Sequence, residues 1–422
     1  MTKKILSPQL KRLQEAIEIG DRAALDAFWQ HVETQGAPLI EPDKENPYSS
    51  LVTFLWRGSE ETHSVVVQIT VDGSGQDEHI MTRLQDTNLW YATFRLRNDY
   101  RGAYKFIVNV SGNPEESLEK QDPCNPHTFI EPKDKERPDH TEDDIDSVVR
   151  LSAVPAQPWA SPRIEVAKGE VKRHLFHSRI LENERRIWVY TPPQYKASGD
   201  PYGLLIILDG RFFNFAIRAP MILDNLLADE QIPPLITVMI DNPGATWQEA
   251  MGIREKELSC YPPFSEFLAQ EMVPWLRQTY HIKAEPMQTL LAGGSFGGLA
   301  AAFTALHHSD TFGNVISLSG SFWWRPKDED EWEWLARQFS IRPLAHLRFY
   351  IEVGLLESMP SSTGFPGQVL SNRHLRNVLQ AKGYEVHYDE QMHGHDSMVW
   401  QSLFAEGLVA LKGVGKAQNH TA

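Results

Sequence analysis

The sequence predicts an α/β domain on a mostly parallel sheet, preceded by a smaller antiparallel β domain. Two changes of texture and one short motif carry the prediction. From residue 164 to 415, short apolar runs alternate with helical stretches: RRIWVYTPP, GLLIILDG, LITVMIDN, QTLLAGG, NVISLSGS, RFYIEVG and EVHYDEQ. Near-continuous apolar strands of this kind are buried on both faces, as in a parallel sheet flanked by helices. From 41 to 130 the runs LVTFLWRG, HSVVVQITVDG, LWYATFRL and YKFIVNV are β-branched and aromatic, separated by polar or glycine-containing turns. That pattern fits a β-sandwich of immunoglobulin-like type. The motif is Gly293-Gly294-Ser295-Phe296-Gly297, a G-x-S-x-G set between an apolar run and a helix-forming one.

Each remaining element follows in order. Residues 1–40 read as a helical segment, with Asp21 as an N-cap, Ala24, Leu25, Phe28 and Trp29 as an apolar face, and Gly36 as a stop. Residues 131–163 are rich in charge and proline and read as a linker. After residue 164 the stretch PFSEFLAQEMVPWLRQTY supplies one of the helices between strands. The formal net charge of −15 argues against nucleic acid or an anionic membrane as partner. Two cysteines, Cys124 and Cys260, cannot form a disulfide framework and suit a reducing compartment. The N-terminus has no apolar signal-peptide core, and no run approaches the roughly 20 apolar residues of a membrane span, so a cytoplasmic location is expected. Oligomeric state is left open.

The G-x-S-x-G set matters because of where it lies. A serine on a sharp strand-to-helix turn has its hydroxyl pushed outward, and the following helix aims free N–H groups at any oxyanion formed there. Ser295 is therefore a candidate nucleophile of an α/β-hydrolase, and the acid and histidine should follow it in the chain. His395, in QMHGHDSMVW, stands after the last predicted strand, before a helix with Asp396 as its expected cap. His393 is its rival. A metal reading of the H-x-H pair lacks a third ligand at fitting spacing, and no metal or cofactor is expected. For the acid, Glu357 sits just past the strand RFYIEVG, whereas Glu352 lies inside it. The acid would fix the imidazole tautomer and stabilise the imidazolium.

The oxyanion hole should combine the amide of Phe296 with that of Gly210 or Arg211, where the apolar strand GLLIILDG ends. Arg211, Arg218, Arg254 and Arg325 read by default as solvated or paired surface arginines, although several lie just after strand ends, where ligands approach open α/β sheets. Trp323 and Trp324 read by default as packing.

Taken together in order, these segments resemble the enterochelin (ferric enterobactin) esterases. The resemblance rests on Leu208-Asp209-Gly210, the R-x-x-E-L run from Arg254 through Glu257 to Leu258, Gly293 to Gly298, Ser317 to Trp324, Gly394-His395-Asp396, and Asp122-Pro123-Cys124-Asn125-Pro126 in the smaller domain. It implies Ser295 as nucleophile, His395 as base and Glu357 as acid. It also implies a substrate: a ferric catecholate siderophore, a trilactone whose complex carries about three negative charges and would be drawn to local arginines. Arg211, Arg218, Arg254, Glu257 and Arg325 would then lie at the substrate, with Trp323 and Trp324 offering surfaces to catechol rings. Iron would enter with the substrate. The rival readings are another carboxylic ester hydrolase such as a feruloyl or carbohydrate esterase, an acyltransferase, or a non-catalytic siderophore-binding protein.

Overall fold

The computed structural model describes residues 5–71, 77–358 and 364–413. The outermost residues of the expected N-terminal segment (1–4) and of the expected hydrolase domain (414 and 415) lie outside them. Helix α1 (Pro8–Glu18) starts at Ser7, whose hydroxyl accepts from the Leu10 amide, with proline at the first helical position where no N–H is needed. Helix α2 (Ala24–Gln35) ends at Gly36, whose φ of +87° favours glycine. Asp21 does not cap α2: it accepts from the Ala23 amide and shapes the turn ahead of it.

Ten strands follow: β1 (Leu39–Pro42), β2 (Ser49–Arg57), β3 (Ser64–Ile69), β4 (Asp77–Ile80), β5 (Thr82–Arg83), β6 (Leu89–Arg97), β7 (Arg101–Asn109), β8 (Leu118–Lys120), β9 (Thr128–Glu131) and β10 (Asp144–Arg150). They form two antiparallel sheets, ordered β1-β2-β6-β5 and β4-β3-β7-β10-β9, with β8 beside β7. Val52, Phe54 and Trp90 of the first sheet meet Val65, Val67, Tyr104 and Phe106 of the second in one core.

The segment 131–163, read as a linker, departs from that reading. Its residues 144–150 form β10, hydrogen-bonded to both β7 and β9. The run DIDSVVR is short and its alternation begins with charged residues, so composition hid a strand whose buried positions are Ser147, Val148 and Val149.

The second domain is one eight-stranded sheet. Its strands are β11 (Glu170–Ser178), β12 (Asn183–Thr191), β13 (Gly203–Ile207), β14 (Leu235–Ile240), β15 (Thr289–Gly294), β16 (Asn314–Leu318), β17 (Arg348–Gly354) and β18 (Glu385–Gln391). The order is β11-β12-β14-β13-β15-β16-β17-β18, parallel from β14 through β18 and antiparallel at the β11 and β12 edge. All seven predicted strand runs are present. β11 was missed because it is a largely exposed edge strand without an apolar run. Helices cover both faces: α3 (Gly210–Phe215), α4 (Ala219–Ala228), α5 (Trp247–Leu258), α6 (Pro262–Phe267), α7 (Val273–Thr279), α8 (Phe296–His307), α9 (Trp334–Ile341), α10 (Gln368–Lys382) and α11 (Trp400–Lys412). Two apolar clusters, one on each side, hold the sheet between them. The predicted PFSEFLAQEMVPWLRQTY helix is α6 and α7 joined by a π-helical turn, beside Pro274, which has no N–H to give the ladder. Among the described residues, no helix is long and apolar enough to cross a membrane.

Candidate active site

Strand β15 delivers Ser295 to the top of the sheet, and α8 begins one residue later. Ser295 has φ +55° and ψ −120°, a conformation that non-glycine residues rarely adopt, as expected of a nucleophile elbow. The tight turn explains its glycines. A Cβ on Gly293 would lie 2.5 Å from the Gly297 backbone, and one on Gly294 would lie 2.4 Å from the Trp400 ring. The Ser295 hydroxyl stands 3.2 Å from that of Ser321, whose own amide donates to the Ser295 carbonyl at 3.1 Å.

The two loops after β17 and β18 bring an acid to a histidine. Glu357 Oε2 is 2.6 Å from His395 Nδ1, while Glu357 Oε1 accepts from the Ser319 hydroxyl and the Gly354 amide, each at 2.8 Å. Burial raises the Glu357 pKa, but the His395 charge and these hydrogen bonds outweigh it and hold the carboxyl below its usual range. For His395, burial pulls downward and the Glu357 carboxylate pulls upward more strongly, so its pKa is raised. With Nδ1 turned to the acid, Nε2 is left for proton transfer. The imidazole is 45% exposed and, with Ser295, lines one cavity.

The rival residues have found each other. His393 Nε2 lies 2.7 Å from Glu352 Oε1, its Nδ1 donates to the Gly394 carbonyl at 2.7 Å, and both side chains are 0% exposed. Neither lines the cavity that holds Ser295. Asp396 differs from expectation too: it stands ahead of a short 3-10 turn (Ser397–Val399) but makes no capping bond, and its Oδ2 is buried without a partner among the described residues.

The cavity, about 250 Å³, is lined by Ser295, His395, Trp400, Arg211, Arg254 and Trp247 among others. Asp209, at the end of β13, has φ +56° and is gripped by Arg254 through two hydrogen bonds of 2.7 Å and by Asn242 through a third of 2.7 Å. It opens α3, whose first amides, on Gly210 and Arg211, have no intrahelical acceptor. Arg211 lines the cavity, while Gly210 presses on the β14 backbone. Phe296, first residue of α8, carries the other expected donor.

Sequence reasoning missed the contribution of 131–140. Glu131 and Arg137 line the cavity, Arg137 donates to the Asn242 carbonyl at 2.5 Å, and the Asp139 carboxylate accepts from the Trp247 and Gln248 amides, capping α5. The Arg211 guanidinium reaches Glu131 at 3.2 Å and Asp134 at 3.4 Å. Three carboxylates of the lining (Glu131, Asp209, Asp241) thus face three arginines (Arg137, Arg211, Arg254), a near balance rather than a bare positive patch. A cluster of prolines and charges gave no sign of this, because the signal is pairing with residues a hundred positions away.

Other predicted substrate residues lie elsewhere. Glu257 is buried in an ion pair with Arg185 at 2.9 Å, a core role. Arg218 is exposed and outside the cavity lining. Trp324 packs against the core beside Trp334, and Trp323 stacks on Phe365 at 4.7 Å and leans on Phe296. Arg325 covers Trp332 at 4.4 Å. None of the three lines the cavity.

Comparison with known proteins relates both domains to esterases. The esterase family model matches residues 178–411, and the model of the enterochelin esterase N-terminal domain matches 51–160. The iron(III) enterobactin esterase of Escherichia coli K12 is 28% identical over 382 residues, covering 85% of this chain and 90% of that protein. The iron(III) salmochelin esterase of Escherichia coli O6:H1 is 25% identical, covering 95% and 97%. Among solved structures, the ferric enterobactin esterase of Salmonella typhimurium superposes with a TM-score of 0.74 at 25% identity, covering 92% of this chain and 98% of that one. A Shigella flexneri enterobactin esterase, solved in the presence of 2,3-dihydroxy-N-benzoyl-serine, gives 0.70 at 26% identity, covering 91% and 97%.

Proposed function

The chain belongs to the enterochelin esterase family and is a carboxylic ester hydrolase, and from that premise we propose that it cuts the trilactone of ferric catecholate siderophores such as ferric enterobactin, in the cytoplasm, through Ser295, His395 and Glu357. The observation that carries the proposal is the 2.6 Å contact of His395 with Glu357 at the cavity that Ser295 opens into. Ser295 Oγ attacks a lactone carbonyl carbon and passes its proton to His395 Nε2. Glu357 stabilises the imidazolium without taking the proton. The oxyanion is met by the Phe296 amide and by the first amides of α3, chiefly that of Arg211. Collapse breaks the ester C–O bond, and the imidazolium protonates the departing serine hydroxyl. Water, deprotonated by His395, then cleaves the acyl-enzyme and frees the acid. Each cut lowers the denticity of the chelator, and iron leaves as cargo.

A cavity of about 250 Å³ suits one catecholoyl-serine arm better than a whole complex. Trp247 and Trp400 supply aromatic walls there. The test is to incubate the protein with apo and ferric cyclic trilactone catecholate and to separate the products. Serine-dependent ring opening is expected. No ring opening, or equal activity in Ser295→Ala, would overturn the proposal.

A further inference from the structure

The loop carrying His395 runs from Gln391, the last residue of β18, to the start of α11. Its inner side is built by the other domain. Arg101, the first residue of β7, is 2% exposed and spans the base of the loop. Its Nη2 donates to Gln391 Oε1 at 2.6 Å, its Nη1 to Ser402 Oγ at 2.6 Å, and its backbone amide to the Met392 carbonyl at 3.2 Å. One guanidinium therefore ties the strand before His395 to the helix after it.

Around this tie the contact is close. A Cβ on Gly394 would lie 2.6 Å from Thr70, so the residue beside His395 sits flush on the β domain. Thr70 is itself fixed through its carbonyl by the Tyr100 hydroxyl at 2.9 Å. Leu356, next to Glu357, is buried in the core of the two-sheet domain, and Met392 packs against that core. Both the acid and the base are thus one or a few residues from anchors in a domain that contributes neither.

We infer that Arg101 is a positioning residue for the esterase reaction: it sets the height and orientation of the His395 loop, and the two-sheet domain acts as the floor on which the base and its acid are aligned. This rests on the reading of Ser295 and His395 as nucleophile and base. A guanidinium suits the task because its planar fork reaches two acceptors on different elements at once, which an ammonium cannot do with the same geometry.

The test uses the full chain and a small neutral ester, p-nitrophenyl butyrate, too small to need a siderophore subsite. Ser295→Ala and His395→Ala are run first; retained turnover in either would sink the reading on which the inference rests. If both are inactive, Arg101→Met is expected to lower kcat by about 10- to 100-fold with KM changed by no more than about twofold, since a misplaced base costs rate and not binding. Arg101→Lys should recover part of kcat. Ser402→Ala, which removes the acceptor of Arg101 Nη1 and also that of Gln157 Nε2, should lower kcat by several-fold at unchanged KM, whereas Gln157→Ala, which removes only that second donor, should not. Should Arg101→Lys and Ser402→Ala both keep the parent kcat while Tm falls, Arg101 is a stability residue only and the inference is wrong.

Discussion

Two glutamate–histidine pairs lie side by side at the C-terminal ends of β17 and β18, Glu352 still inside β17 and Glu357 just past it. Glu352 and His393 are paired at 2.7 Å and sealed from solvent; Glu357 and His395 are paired at 2.6 Å with the imidazole 45% exposed at a cavity. Both histidines have raised pKa values, each pulled down by burial and pushed up further by its carboxylate. Pairing and perturbation are therefore not what separates a base from a buried ion pair. What separates them is whether a ring nitrogen is left free. Among the described residues, His393 spends Nδ1 on the Gly394 carbonyl and Nε2 on Glu352, whereas His395 spends only Nδ1. A histidine with both nitrogens committed cannot accept a proton from serine.

The largest effect should come from exchanging the two histidines for alanine. His395→Ala is expected to lower kcat by about 10³-fold or more on any ester, because the serine loses its base. His393→Ala should keep kcat within a few-fold and lose stability, by about 3–5 kcal/mol for a buried charge left alone, read as a fall in Tm. Loss of turnover in folded His393→Ala, with activity kept in His395→Ala, would reverse the assignment.

Next in size is the acid. Glu357→Gln should cost about 10²- to 10⁴-fold in kcat, since an amide can hold the wrong tautomer. It also carries a pH signature. The base must be neutral, so activity falls as pH falls through the raised His395 pKa, and the acid limb of kcat/KM should lie above the ordinary imidazole value of about 6.5. In Glu357→Gln the residual limb should move to lower pH. A limb that stays in place would mean another charge raises His395. The sealed pair should show its titration in stability instead. His393, raised in the folded state, stabilises most below the ordinary imidazole value, and that contribution is lost as pH rises through its folded pKa.

These pairs also show what the sequence could and could not reveal. The placement of Ser295, Glu357 and His395 was legible because strand order and loop position limit the choices: Glu357 past a strand end, His395 past the last strand. The partner of Glu352 was not legible, because whether a side chain inside β17 meets a neighbouring loop depends on packing. The arginines were harder still. Arg254 stood out as a cation near the site, but it lies on α5 while its partner Asp209 follows β13, and only the fold shows the guanidinium committed at 2.7 Å. Truncating Arg254 should therefore unpair Asp209 beside the α3 amides and lower kcat on neutral and anionic esters alike, by about 10-fold or less; a rise in KM confined to the ferric complex would instead make it a direct anion contact. The cavity wall at 131–140 was missed for the same reason, since it owes its order to residues distant in the chain.

The smallest predicted effect concerns a third carboxylate, Glu131, which lines the cavity as neither Glu352 nor Glu357 does. Burial raises the pKa of Glu131 to about 7, against the opposing pull of Arg211. As pH falls through about 7 it gains a proton, and the balance of three carboxylates against three arginines in the lining tips positive. An anionic ester should then bind more tightly, with KM falling a few-fold between pH 8 and about 6 while KM for a neutral ester of similar size stays level. Glu131→Gln, neutral at every pH, should lower KM at pH 8 and flatten the trend to what the protonation of His395, also in the lining, contributes. If the trend persists undiminished in that variant, the charge that answers to pH lies elsewhere. The distinction drawn from the two histidines would then hold for the base alone: a titrating group open to the cavity would not, for that reason, govern binding.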